Sequence, residues 1–218
     1  MTKLELAAKI DHTLLKPDAT AEQIKKLCAE AAEYRFCSVC VNSGRAALAK
    51  ECLQNTGVKL CVVVGFPLGC SVTKGLEAAE MAKLGADEID MVLNIGLAKD
   101  GDWAAVTADI QAVRNACPGK VLKVILETCL LTEDEIVRAC ACAKAAGADF
   151  VKTSTGFSTG GAKAADVSLM KKSAGGLLVK ASGGIHNYKE AKEMLDAGAD
   201  RIGASAGISI VNGLEESE

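Results

Sequence analysis

Gly147-Ala148-Asp149-Phe150-Val151-Lys152-Thr153-Ser154-Thr155-Gly156 joins a chain reversal, an apolar run and a string of hydroxyls. Its first three residues recur as Gly85-Ala86-Asp87 and Gly198-Ala199-Asp200. Each copy closes an amphipathic segment and opens an apolar one. Glycine suits the left-handed position that ends a helix, so each copy marks a helix-to-strand transition. Working outward, apolar runs at 9–14, 37–42, 58–64, 87–94, 120–127, 149–154, 177–181 and 200–204 read as strands. Stretches of helical period lie near 20–34, 43–56, 73–84, 102–116, 132–146, 164–173 and 187–197, with short segments at 2–8 and 206–213 at the ends. Thr132-Glu133-Asp134-Glu135 fits a capping box at one helix start. Strands alternating with helices imply parallel pairing. Val62-Val63-Val64 and the stretch 121–126 are nearly continuous in apolar residues, as strands covered on both faces should be. An open doubly wound sheet is the competing architecture. The strand count and short repeat favour a closed barrel, and no G-x-G-x-x-G follows the first strand. We expect an α/β protein, an eight-stranded parallel β/α (TIM) barrel. It forms one domain over 1–218, with a short N-terminal helix at 2–8 and an acidic tail at 214–218.

With 218 residues, half of them hydrophobic and 24% charged, the chain can bury a sizeable core and is not of disordered composition. A net charge of -3 gives no basic footprint for nucleic acid or an anionic membrane. No apolar run reaches bilayer length and the first residues do not resemble a signal peptide, so a cytoplasmic location is expected. The ten cysteines lie scattered through apolar segments and read as reduced thiols used in packing. Cys37 and Cys40 form one C-x-x-C within a strand, where an offset of three points them to opposite faces. That suits packing better than redox chemistry or zinc. Two histidines, His12 and His186, make a poor metal case.

In such a barrel the chemistry sits at the C-terminal ends of the strands, so polar residues there are informative. Lys152 is either a structural ion-pair partner or a nucleophilic amine, and spacing leaves both open. Lys180, in Val179-Lys180-Ala181-Ser182-Gly183-Gly184, lies on the next strand. If both side chains face the mouth, their repulsion favours one neutral amine. If Lys180 points outward, its stem covers a helix. Asp90 and Asp11 are candidate acid–base groups or counter-charges. Lys123 reads as a core ion-pair partner, with Glu127 or an aspartate. Asp87 and Glu88 read as solvated strand-start residues. Gly156, Gly183, Gly184 and Gly203, with the hydroxyl of Ser205, cluster after the last strands, where backbone amides bind phosphate.

These residues stand in motifs. The run 151–156 resembles the Schiff-base strand of the deoxyribose-phosphate aldolase family, and 180–185 resembles its second-lysine strand. The run 88–96 is similar to its aspartate strand, and 10–17 and 64–69 also match. The resemblance runs in order from about Ile10 to Val211. It implies a metal-free, cofactor-free lyase that cleaves 2-deoxy-D-ribose 5-phosphate to acetaldehyde and D-glyceraldehyde 3-phosphate in deoxyribonucleotide catabolism. It implies that Lys152 forms the imine, that Lys180 perturbs it, and that Asp90 shuttles protons. Asp11 and Lys123 would support them. Thr155, Gly156, Gly183, Gly184, Gly203 and Ser205 would hold the substrate. The partners expected are the phosphorylated sugar, acetaldehyde and further copies of the chain, as a dimer or tetramer. Two departures stand out. His186 replaces a frequent arginine beside the glycine pair, which weakens the expected phosphate grip. The stretch 172–176 looks shortened, on the face away from the site.

Overall fold

Gly85, Gly147 and Gly198 take φ values of 104°, 76° and 109°, the left-handed region that glycine enters without steric cost. In the computed structural model, which describes residues 1–214, the strands they open belong to a closed parallel barrel. The strands are β1 (Ile10–Leu14), β2 (Ser38–Asn42), β3 (Lys59–Val64), β4 (Glu88–Val92), β5 (Val121–Ile125), β6 (Phe150–Lys152), β7 (Leu178–Ser182) and β8 (Arg201–Ala204), in ring order. Ten helices surround or flank them among the described residues. They are α1 (Lys3–Ala7), α2 (Ala21–Tyr34), α3 (Ala46–Cys52), α4 (Lys74–Leu84), α5 (Ile95–Lys99), α6 (Trp103–Ala116), α7 (Glu133–Ala145), α8 (Ala164–Ser173), α9 (Tyr188–Asp196) and α10 (Gly207–Asn212). The eight-stranded barrel read from the sequence is therefore the fold, and no helix among the described residues is long and apolar enough to cross a membrane. Of the acidic tail, 215–218 lie outside the described residues.

The aspartate of each repeated tripeptide fastens its strand to the one before. Asp87 donates its N–H to the Leu60 carbonyl at 2.9 Å and accepts the Leu60 N–H at 2.9 Å. Asp149 does the same with Leu122, and Asp200 with Val179. The first pair of strands lacks the motif. There Arg35 occupies the left-handed position with φ 56°, and Cys37 donates to the Ile10 carbonyl. The Thr132 capping box forms as expected, with Thr132 and Glu135 exchanging side-chain and backbone bonds.

Several local details differ from the sequence reading, and β4 and β5 each end two residues earlier than read. The helix expected over 43–56 begins as a 3-10 turn, and its α-helical part spans only Ala46–Cys52. The helix α5, which was not expected, starts where the Asn94 side chain accepts the Leu97 N–H. β6 ends at Lys152 rather than 154; Thr153 and Ser154 stay buried beyond it, with Thr153 bonded to the β7 residues Lys180 and Ser182.

Two apolar clusters follow from the strand alternation. Val62 and Val64 face outward and join the large layer under the helices. Cys61 and Val63 face inward and pack with Leu15, Cys40 and Phe66. Only the β1–β3 side of the barrel is filled this way. Elsewhere in the interior the charged side chains of Asp11, Glu88, Asp90, Lys123, Lys152, Lys180 and Arg201 share the space with Val92, Ile125 and Phe150.

Candidate active site

Asp90 stands on β4 with both carboxylate oxygens occupied. Oδ1 accepts from Lys123 Nζ at 2.7 Å and from the Cys61 thiol at 3.1 Å. Oδ2 accepts from Lys152 Nζ at 2.9 Å and Lys180 Nζ at 2.8 Å. The strand register makes this meeting possible, since Asp90 pairs with Lys123 and Lys152 with Lys180. Lys180 also contacts Asp11 Oδ2 at 2.6 Å, as an ion pair rather than an aligned hydrogen bond. Asp11 Oδ1 accepts from Ser38 at 2.7 Å and from Arg201. Arg201 reaches Glu88 at 3.1 Å, and Lys123 meets Glu88 at 2.5 Å. The network therefore holds four basic side chains, Lys123, Lys152, Lys180 and Arg201, against three carboxylates, Asp11, Glu88 and Asp90. All are buried.

Burial alone would raise the Asp90 carboxyl, but Lys123, Lys152 and Lys180 hold it well below the usual carboxylate range. Asp11 is likewise lowered: burial opposes ionisation, and Lys180 and Arg201 overcome it. Burial would discharge Lys180, yet Asp11 and Asp90 raise it above the ordinary ammonium range. Lys123 is raised in the same way, its burial outweighed by Asp90 and other acidic neighbours. Lys180 is thus a fixed positive charge beside Lys152.

A cleft of about 260 Å³ opens above this network at the C-terminal ends of the strands. Lys152 lines it, and so do Thr155, Gly156, Gly183, Gly184, Gly203 and Ser205. Asp90, Asp11, Lys123 and Lys180 lie beneath it. Gly183 and Gly184 adopt φ of 88° and 76°. A Cβ on Gly184 would meet nothing, so its surroundings are open. Gly203 has a second role, because a Cβ there would sit 2.8 Å from Lys180 Cε. Thr155 is already engaged: it donates its hydroxyl to Glu127 and accepts the Phe157 N–H at 3.0 Å. The rim carries Lys16 and the exposed His186. The stretch 172–176 lies before β7, at the opposite end from the cleft.

Of the two directions left open for Lys180, the structure shows the inward one. Of the two partners considered for Lys123, the aspartate holds: Lys123 pairs with Asp90, and also with Glu88, while Glu127 turns to Thr155. Other sequence readings need correction. Glu88 is wholly buried, though Asp87 is partly exposed as expected. The strand alternation that puts Asp90 inside must put Glu88 inside too. Arg201 was missed altogether. It follows Asp200 at a strand opening, but it shares a face with Gly203 and Ser205, a signal that was present. Ser38 and Cys61 gave no comparable signal, since each is small enough to read as packing. Among the described residues, Cys40, Cys61 and Asp90 form the one trio whose potential metal-ligand atoms lie within 4.8 Å of one another.

Residues 6–214 match the family described as DeoC/LacD family aldolase. The chain is 59% identical over 213 residues to a deoxyribose-phosphate aldolase of Finegoldia magna, covering 96% of this chain and all of that one. It is 57% identical to a deoxyribose-phosphate aldolase of Clostridium tetani, covering 95% and 98% of the two chains. Among solved structures, a putative deoxyribose-phosphate aldolase from Coccidioides immitis superposes with a TM-score of 0.96 at 44% identity, over 99% of this chain and 87% of that one. A deoxyribose phosphate aldolase from Aeropyrum pernix, described as a unique tetramer, superposes at 0.90 with 34% identity, over 100% and 94%. The lysine pair on one buried aspartate thus sits in a sequence and a barrel shared with these proteins over at least 95% of this chain, and the chain belongs to the DeoC/LacD aldolase family.

Proposed function

We propose that this chain is a lyase that reversibly cleaves 2-deoxy-D-ribose 5-phosphate to D-glyceraldehyde 3-phosphate and acetaldehyde through a Schiff base on Lys152. The observation that carries this reading is the sharing of Asp90 Oδ2 between Lys152, at the cleft floor, and Lys180, beneath it. Lys152 must be neutral to attack the carbonyl carbon. The charged Lys180 ammonium sits at the same carboxylate oxygen as Lys152 Nζ. The protonated imine then accepts the electrons of the bond between the second and third carbons as that bond breaks. The 3-hydroxyl must lose its proton in the same step. Asp90 bridges the two amines, so a proton taken there can pass to or from Lys180 and later reach the enamine. Lys123, Asp11 and Arg201 hold the pair in place.

The phosphate is assigned to the amides around Gly183 and Gly184 and to Ser205, with Thr155, Gly156 and Gly203 shaping the cleft. Ser205→Ala should raise KM for the phosphate ester and leave unphosphorylated deoxyribose nearly unaffected. Equal losses on both would put the phosphate elsewhere. The reaction asks for no metal or cofactor, and it belongs to deoxyribonucleotide catabolism in the cytoplasm. The exposed apolar run Leu68, Val72 and Leu76 favours a homo-oligomer, dimer or tetramer, and light scattering reads the mass directly.

Trapping tests the chemistry. Incubation with acetaldehyde and borohydride should add one ethyl group to the peptide containing Lys152. Lys152→Ala should abolish the adduct and turnover together. An adduct on Lys180 or Lys123 would reassign the nucleophile, and no adduct would end the Schiff-base reading.

A further inference from the structure

Cys40 and Cys61 are paired in register on the neighbouring strands β2 and β3, both facing the barrel interior. Neighbouring strands run about 5 Å apart, within the Cα separation that a disulfide spans. Their sulfurs already lie within 4.8 Å of each other and of an Asp90 oxygen. A divalent metal is a poor occupant of this trio. Lys123 sits 2.7 Å from Asp90 Oδ1 and 3.5 Å from the Cys61 sulfur, and Lys152 and Lys180 hold the other oxygen. A cation placed there would face the ammonium groups of Lys123 and Lys180 at close range. The same positive surroundings favour a thiolate, the form that reacts with oxidants.

We propose that Cys40 and Cys61 form a peroxide-sensitive dithiol that closes to a disulfide and lowers the activity of the adjoining site. The two thiols are already unequal. Cys61 gives its one proton to Asp90 Oδ1 at 3.1 Å, and burial pushes its thiol well up. Cys40 is therefore the attacking sulfur and Cys61 the resolving one. Cys40 attacks one peroxide oxygen, the O–O bond breaks, and hydroxide leaves with the Cys40 proton as water. The sulfenic acid so formed is attacked by Cys61, which expels its oxygen as a second water with the Cys61 proton. Two thiols lose two electrons and hydrogen peroxide is reduced to two waters. Both sulfurs are buried, and Leu15, which packs in the same cluster with them, lines the cleft. In the disulfide Cys61 has no proton to give, so Asp90 Oδ1 loses one of its two donors.

The test treats the full chain with hydrogen peroxide, blocks remaining thiols with iodoacetamide, and maps the digest. The expected result is a peptide pair joined through Cys40 and Cys61, two mass units lighter than the reduced pair. Activity should fall on the order of tenfold, as expected for losing one hydrogen bond to a charged group, and dithiothreitol should restore it. Cys40→Ser and Cys61→Ser, each compared with its own untreated activity, should lose the reversible fall. Free, alkylated Cys40 and Cys61 after treatment would overturn the proposal. So would a link confined to Cys28 and Cys52, a second thiol pair in contact outside the barrel. A Cys40–Cys61 link that leaves turnover unchanged would overturn the control of activity. The mass measurement stands whether or not the proposed substrate is the right one.

Discussion

Asp90 receives bonds from four side chains, so its replacement removes a charge and a scaffold together. Asp90→Asn should lower kcat by roughly 10²- to 10⁴-fold, the range for a lost acid–base group, with a smaller change in KM. Steady-state kinetics beside a circular dichroism spectrum check this. A variant with normal kcat and only a raised KM would make Asp90 a binding residue. Lys152, Lys180 and Asp90 stood out in the sequence because charged residues within apolar strands are costly without a purpose, while spacing left the role of Lys152 and the direction of Lys180 open. Arg201 and Glu88 were less so. Each stands at a strand opening, where a charge usually meets solvent, and only the inward alternation with Gly203 or Asp90 gives it away. The partners of Lys123 and Glu127 were not legible. Strand neighbours are set by ring closure, and whether a side chain leans to the strand before or after depends on packing that no spacing encodes.

At the scale of elements, the turns carried most of the readable signal. The three glycine tripeptides located β4, β6 and β8 because only glycine enters their backbone conformation freely. Arg35 holds the equivalent place before β2, with an exposed side chain and φ 56°. An L-residue other than glycine bears roughly 1–2 kcal/mol in that region. Arg35→Gly should therefore raise stability by about 1 kcal/mol, read as a higher urea midpoint at unchanged slope, after the greater freedom of glycine in the unfolded chain is subtracted. An unchanged or lower midpoint would show that the turn is held by something other than this backbone strain. The short helix α5 escaped the sequence reading because a five-residue element offers too little periodicity to register.

For the whole molecule, the buried network sets the pH range over which the barrel holds. Asp11 and Asp90 are lowered on folding, so their contribution is complete above the unfolded value of about 3.9. It is lost as pH falls below that toward the depressed folded values. Lys123 and Lys180 are raised, so theirs is complete below about 10.4 and is lost as pH rises beyond it. Urea midpoints should be flat from about pH 5 to 9 and drop steeply below about pH 4, with a shallower acid limb in Asp11→Asn. A midpoint that already falls between pH 7 and 5 would assign acid sensitivity to other groups. The aspartate fastenings bear on a different property. They join β3 to β4, β5 to β6 and β7 to β8, and none bridges from one couple to the next. Cys37 marks the same place in the couple β1 and β2 by its backbone bond alone. The ring is thus four modules of a shared plan, and β8 meets β1 just as any module meets its neighbour. Where the chain begins is then a question of where the circle is cut: opened at Pro118 and Gly119, between modules, it would keep every fastening it now has.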